Sequence, residues 1–162
     1  MRRREFIAGA AGAAAWSVAA RAQQPAMPVI GYLGALSAEE SKNDTVTFLQ
    51  GLKETGYVEG QNAAVEYRYA GNQSGRLPAL VVDLVRRRVA VIVAIGAPAA
   101  LAAKAATTTI PIVFVTGLDP VALGLVASLN RPGANLTGST NLAAELAPKQ
   151  LQLLRELLPN AS

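Results

Sequence analysis

Short apolar runs rich in branched residues alternate along this chain with stretches that carry apolar residues at helical spacing. Residues 29–33, 89–95, 110–115 and 136–139 have strand length, and residues 64–69 alternate apolar and polar side chains as an edge strand does. Helical patterns follow these runs at 38–55, 77–86, 97–106, 121–129 and 147–158. This alternation predicts the α/β class, with a doubly wound, five-stranded parallel sheet covered on both faces. Right-handed crossovers favour the strand order 2-1-3-4-5.

Three of the predicted helices have recognisable ends. Ser37 and Glu40 have the spacing of a capping box, and Asp119 followed by Pro120 is typical of a helix start. The basic triplet at 86–88 closes the second helix, where the helix dipole favours cations. We therefore interpret the triplet as structural.

The first 22 residues have the three-part layout of a secretory signal: a basic start, an apolar stretch of about 15 residues, and small residues before a cleavage point near Ala22. Residues 3–7 fit the twin-arginine pattern, and an ordinary general-secretion signal is the alternative. We expect export to the periplasm, with the mature chain beginning at Gln23. The targeting residues are Arg3, Arg4, Phe6, Ile7, Ala20 and Ala22.

The basic character of the chain comes mainly from this segment. The full sequence has 15 basic and 11 acidic residues, and without residues 1–22 it keeps 11 basic and 10 acidic ones. A net charge of +1 gives no support for nucleic-acid binding, which needs a basic patch on the folded part.

Ligands of an open parallel sheet bind at the carboxyl ends of its strands. The loops at 35–37, 96–99, 116–119 and 139–141 meet at that edge and consist mostly of small or hydroxyl-bearing residues, which allow a ligand to approach helix N-termini. Ser37 and Asp119 are also explained by helix capping alone. The candidate ligand-binding residues are Ala35, Leu36, Ser37, Gly96, Ala97, Thr116, Asp119 and Thr140.

The composition argues against catalysis. The chain has neither histidine nor cysteine, so Ser-His and Cys-His systems, thiolate metal sites and disulfides are excluded. Neither a GxGxxG after the first strand nor a P-loop is present. We predict a protein that is not an enzyme, with no catalytic residues, metal or cofactor.

Several motifs resemble the ABC-transporter substrate-binding family that includes tryptophan/tyrosine importers. Their order and spacing carry the resemblance more than any single motif does. They are FLQGLKETGYVEGQN at 48–62, EYR at 66–68, RLP at 76–78, AATTTIPIVF at 105–114, DPV at 119–121, GLVASLNRPG at 124–133 and NLTG at 135–138. Ala134 departs from the pattern, because the family commonly has a second glycine there.

The resemblance implies a type I periplasmic-binding fold with two lobes hinged around a cleft, of which this chain matches the N-terminal half. Residues 23–141 would form the first lobe, and residues 142–162 the hinge crossing and the opening helix of the second lobe. The implied partners are a small organic solute, possibly an amino acid in this family, and the membrane permease of the transporter. Because one lobe cannot close on a ligand, we expect weak or absent binding and an exposed final helix at Leu151, Leu154 and Leu158.

Two alternatives share this strand order. A receiver domain needs clustered acidic residues after the first strand, where this sequence has none, and a flavodoxin-like domain would be yellow with bound flavin. The effector domain of a sugar-responsive repressor is a third possibility, but an export signal occupies the place of its DNA-binding helices.

Overall fold

The computed structural model describes residues 27–141 and 143–157. The predicted signal peptide with its six targeting residues, and Leu158, lie outside these ranges. The strands are β1 (Val29–Gly34), β2 (Ala64–Tyr69), β3 (Val91–Ile95), β4 (Ile112–Thr116) and β5 (Leu136–Thr140). The helices are α1 (Lys42–Glu54), α2 (Leu77–Arg86), α3 (Ala97–Ala106) and α4 (Ala143–Leu157), with a 3₁₀ turn at Ser74–Arg76.

All five strands form one parallel sheet in the order β2-β1-β3-β4-β5, as predicted. The continuous apolar run of β3 suits its central place, where side chains point into protein on both faces. None of the described helices is both long and apolar enough to cross a membrane.

The two faces of the sheet are covered unequally. Helices α2 and α3 pack on one face, around the buried side chains of Leu84, Ile92 and Phe114. Helix α1 packs on the opposite face, here called the α1 face, where Phe48 lies 5.4 Å from the ring centre of the fully buried Tyr32. The main core therefore lies on the side away from α1.

Arg87, in the basic triplet at 86–88, takes part in a group of ion pairs at the end of α2. Asp83 accepts hydrogen bonds from Arg68 on β2 at 2.6 Å and from Arg87 at the end of α2 at 3.1 Å, and Glu66 pairs with both arginines. These ion pairs join α2 to the edge strand.

Four local predictions are corrected by the structure. The helix expected at 38–55 begins at Lys42, because residues 38–41 form a turn and Ser41 occupies the N-cap position. The helix expected at 121–129 is a series of turns, because Gly124 adopts a left-handed φ of 66° and Leu125 enters the core. Strand β4 is not buried on both faces, since Val113 and Val115 are 37% and 45% exposed on the α1 face. Helix α4 begins at Ala143, four residues before the predicted start.

Candidate functional site

An open cleft of about 460 Å³ lies at the carboxyl ends of the strands, where the sequence places a ligand site. The loops after β1, β3 and β4 form its walls, as expected from the parallel topology. Four of the predicted residues line it: Ala35, Leu36, Gly96 and Thr116. Ala97 follows Gly96 as the first residue of α3 and is buried.

The other three predicted residues do not line this cleft, and each makes a local hydrogen bond. Ser37 accepts a bond from the backbone N–H of Glu40 at 3.3 Å, in a turn that precedes α1, so it does not cap that helix as the sequence predicted. Asp119 accepts one from the N–H of Val121 at 2.8 Å, and the Thr140 hydroxyl donates to the Leu118 carbonyl at 3.0 Å. Their ligand contacts stay predictions.

Sequence reasoning missed much of the polar lining of the cleft. Asp44 projects from the first turn of α1, and Asn72 and Ser74 belong to the loop after β2. Asn141 belongs to the predicted loop at 139–141 and lines the cleft too, although it was not among the candidate residues. The predicted strand order could have indicated the residues of the loop after β2. Because β2 is parallel to β1, its carboxyl-end loop lies at the same edge of the sheet.

The loop after β2 is fixed to the loop after β1 by hydrogen bonds. The backbone N–H of Asn72 donates to the Ala35 carbonyl at 3.0 Å, and that of Gly71 donates to the Leu36 carbonyl at 3.1 Å. The Asn72 amide also donates to the Glu40 carboxylate at 2.7 Å. Hydrogen bonds from Ser37, and then from Asn72, lower the pKa of Glu40, so this carboxylate stays ionised at neutral pH. This wall of the cleft is therefore preorganised.

The N-terminus of α3 opens onto the cleft without a side-chain cap. Gly96 precedes it with a φ of 90°, a left-handed conformation that favours glycine, and its N–H donates to the Val115 carbonyl at 2.9 Å. The unpaired N–H groups and the dipole of a helix N-terminus attract an anion such as a carboxylate. Asp44, in the same lining, offers a negative charge for a cation.

The described residues contain no group of three acidic, histidine or cysteine side chains that could hold a metal ion. The arrangement is suited to binding a small polar molecule by backbone and side-chain contacts.

Comparisons with known proteins agree with this fold. The tyrosine-binding protein of Clostridioides difficile (strain R20291) is 34% identical over 114 residues, which are 70% of this chain and 32% of that protein. A conserved domain protein from Vibrio cholerae O1 biovar El Tor matches with a TM-score of 0.75 and 32% identity, over 83% of this chain and 45% of that one. The L-Trp complex of an ABC domain from Streptococcus pneumoniae matches with a TM-score of 0.66 and 25% identity, over 71% and 39%.

A ligand-free, open substrate-binding protein with adhesive properties from Clostridium difficile matches at 29% identity and a TM-score of 0.71. The chain spans about a third of the curated relative and less than half of these structures. The sequence model of the ABC transporter substrate binding protein family matches residues 34–162. The chain therefore belongs to the family of ABC transporter substrate-binding proteins.

Proposed function

We propose that this chain is the first lobe of the substrate-binding component of an ABC importer, and that its cleft holds a small organic solute with both a carboxylate and an ammonium group. The observation that carries the proposal is the pairing, within one cleft, of the uncapped α3 N-terminus with Asp44. The helix end attracts the carboxylate and Asp44 attracts the ammonium.

The chemistry of the relatives supports the same solute class. One relative is described as tyrosine-binding, and a solved neighbour holds L-Trp. Both ligands carry the two charged groups for which this cleft has complementary partners. An apolar solute side chain would lie against Ile95 and Val115, which also line the cleft.

The family and the sequence patterns support a wider role in the cell. Residues 1–22 direct export, residues 23–141 form the binding lobe, and residues 142–162 begin a crossing to a second lobe. The transporter's membrane permease is the partner that receives the solute, in the periplasm. The chain performs no catalysis, because binding and release are sufficient for this task.

Weak binding is expected from a single lobe, so the test must detect millimolar affinity. We would record amide NMR spectra of the full chain during titration with L-tryptophan, tryptamine and indole-3-propionate. Tryptamine lacks the carboxylate, and indole-3-propionate lacks the ammonium. L-Tryptophan should shift the amides of Gly96, Ala97 and Asn72 more strongly than either analogue does.

The Asp44→Asn variant gives the matched control, because it removes the charge while keeping the shape. It should weaken L-tryptophan binding and leave the response to indole-3-propionate unchanged. Equal effects on both compounds would contradict the role of Asp44. No shift at the cleft amides with L-tryptophan or with a panel of other amino acids would contradict the proposed function.

A further inference from the structure

The turn between β1 and α1 contains a polar cluster that does not cap the helix. Glu40 has the spacing of a capping-box partner of Ser37, but α1 begins at Lys42, after Ser41. The Glu40 carboxylate instead accepts three hydrogen bonds at one oxygen atom, Oε2. The Ser37 hydroxyl donates at 2.5 Å, the Ser37 N–H at 3.0 Å and the Asn72 amide at 2.7 Å. Glu40 thus connects a turn outside the cleft to Asn72, which lines it.

The charge of Glu40 decides which end of the Asn72 amide faces it. An ionised carboxylate only accepts hydrogen bonds, so the amide atom at 2.7 Å is the nitrogen, and the amide oxygen points away from Glu40. Beside a neutral partner that both donates and accepts, the amide could turn by 180°, because the last torsion of asparagine is roughly twofold. Glu40 therefore holds the Asn72 amide in one of its two orientations.

This side-chain bond is not needed to join the loops after β1 and β2. Backbone hydrogen bonds from Gly71 to Leu36 and from Asn72 to Ala35 already join them. The bond to Glu40 adds a defined orientation of a polar group in the lining of the cleft. A role in ligand recognition accounts for that orientation, whereas a role in loop packing does not.

We propose that Glu40 is a positioning residue, which turns the Asn72 amide so that its Oδ1 atom accepts a hydrogen bond from the ammonium group of the bound solute. The proposal rests on the function proposed above, and it adds a second acceptor to Asp44, which lines the same cleft. The charge of Glu40 strengthens this acceptor, because hydrogen bonds in a chain polarise one another. Ser37, which does not line the cleft, contributes by holding the carboxylate.

Glu40→Gln tests the positioning, because glutamine keeps the shape of the side chain and offers a donor as well as an acceptor. Amide NMR titrations of the full chain would compare L-tryptophan with indole-3-propionate, which lacks the ammonium. The variant should bind L-tryptophan about threefold to tenfold more weakly and indole-3-propionate as the wild type does. Glu39→Gln is the matched control. It removes the same charge from the neighbouring residue, which does not line the cleft, and should change neither affinity.

Asn72→Gly separates recognition from loop structure. Asn72 has a left-handed φ of 63°, which glycine adopts readily, and the backbone N–H that donates to Ala35 remains in the variant. The loop should therefore keep its conformation, while the affinity for L-tryptophan falls. The double variant with Glu40→Gln should bind L-tryptophan no more weakly than Asn72→Gly alone, because Glu40 acts through the amide that is already absent. Losses that add up would overturn the positioning role.

The outcomes distinguish this proposal from the function on which it rests. A Glu40→Gln chain that keeps its full preference for L-tryptophan over indole-3-propionate would overturn the positioning role and leave the proposed function in place. Wild-type cleft amides that respond to no amino acid would contradict the function, and the acceptor role with it. The side-chain NH₂ resonances of Asn72 give a check without solute. They should shift in Glu40→Gln and stay in place in Glu39→Gln, and unchanged resonances in both variants would refute the contact.

Discussion

Gly138 lies in β5 directly opposite Phe114 of β4, and replacing it with alanine should destabilise the fold strongly. A Cβ atom at this position would lie 2.6 Å from two atoms of the Phe114 ring, and closer still to the Phe114 carbonyl oxygen. Ordinary contacts need about 1 Å more. Because the Phe114 carbonyl belongs to the backbone of β4, relief of this contact requires the β4–β5 pair itself to shift. Overpacking and a disturbed strand pair together should cost about 3–4 kcal/mol.

The matched control is the same substitution at Gly51, within α1. A Cβ atom there would meet nothing within 4 Å, and alanine is a better helix former than glycine by about 1 kcal/mol. Gly51→Ala should therefore stabilise the chain while Gly138→Ala destabilises it. Urea unfolding followed by circular dichroism measures both free energies. A Gly138→Ala chain within about 1 kcal/mol of the wild type would refute the steric argument. Failure of this variant alone to accumulate as folded protein would agree with it.

Three further substitutions test the packing, the turns and the charges. Leu84→Ala, at a fully buried position, should lower the free energy of unfolding by about 2–5 kcal/mol, and Val82→Ala, 40% exposed on the same helix, by less than about 1 kcal/mol. Ala134→Gly should raise the melting temperature by a few degrees, because Ala134 has a left-handed φ of 49° that costs about 1 kcal/mol; no rise would contradict this. Hydrogen bonding to Arg68, together with the nearby Arg87, lowers the pKa of Asp83 below its ordinary 3.8. The stabilisation by this carboxylate is therefore present above pH 4 and lost as the pH falls through the lower folded value. Asp83→Asn should accordingly be less stable than the wild type at pH 7, and the difference in urea unfolding should shrink as the pH falls below 4; a difference independent of pH would count against the ion pairs.

The strand order was predictable because it depends on long-range regularities of the sequence. Each strand is a short apolar run, each connection is long enough for a crossover, and the right-handed rule removes most arrangements. The segment at 119–132 was not predictable in the same way. Asp119 and Pro120 have the pattern of a helix start, yet Gly124 turns the chain and sends Leu125 and Val126 into the core. Local pattern here is overridden by tertiary packing.

Four of the twelve residues that line the cleft were named from the sequence, for the same reason. Ala35, Gly96 and Thr116 lie at the carboxyl ends of strands whose order fixes their meeting point. Asp44 was missed because it lies within α1 rather than in a loop, and its approach to the cleft depends on where α1 crosses the sheet. Asn72 was missed because the loop after the edge strand was not considered among the loops at this edge.

The uneven cover of the sheet follows from the strand order itself. From β1 the chain moves in one direction to reach β2 and then in the opposite direction to reach β3, β4 and β5. Right-handed crossovers therefore place α1 on one face and the three later connections on the other. Val113 and Val115 have the apolar character of a strand buried on both faces, although the described connections cover one of those faces only. Such side chains are typical of positions shielded from water. The apolar sequence of β4 therefore indicates that its α1 face is covered by a segment other than the described crossovers.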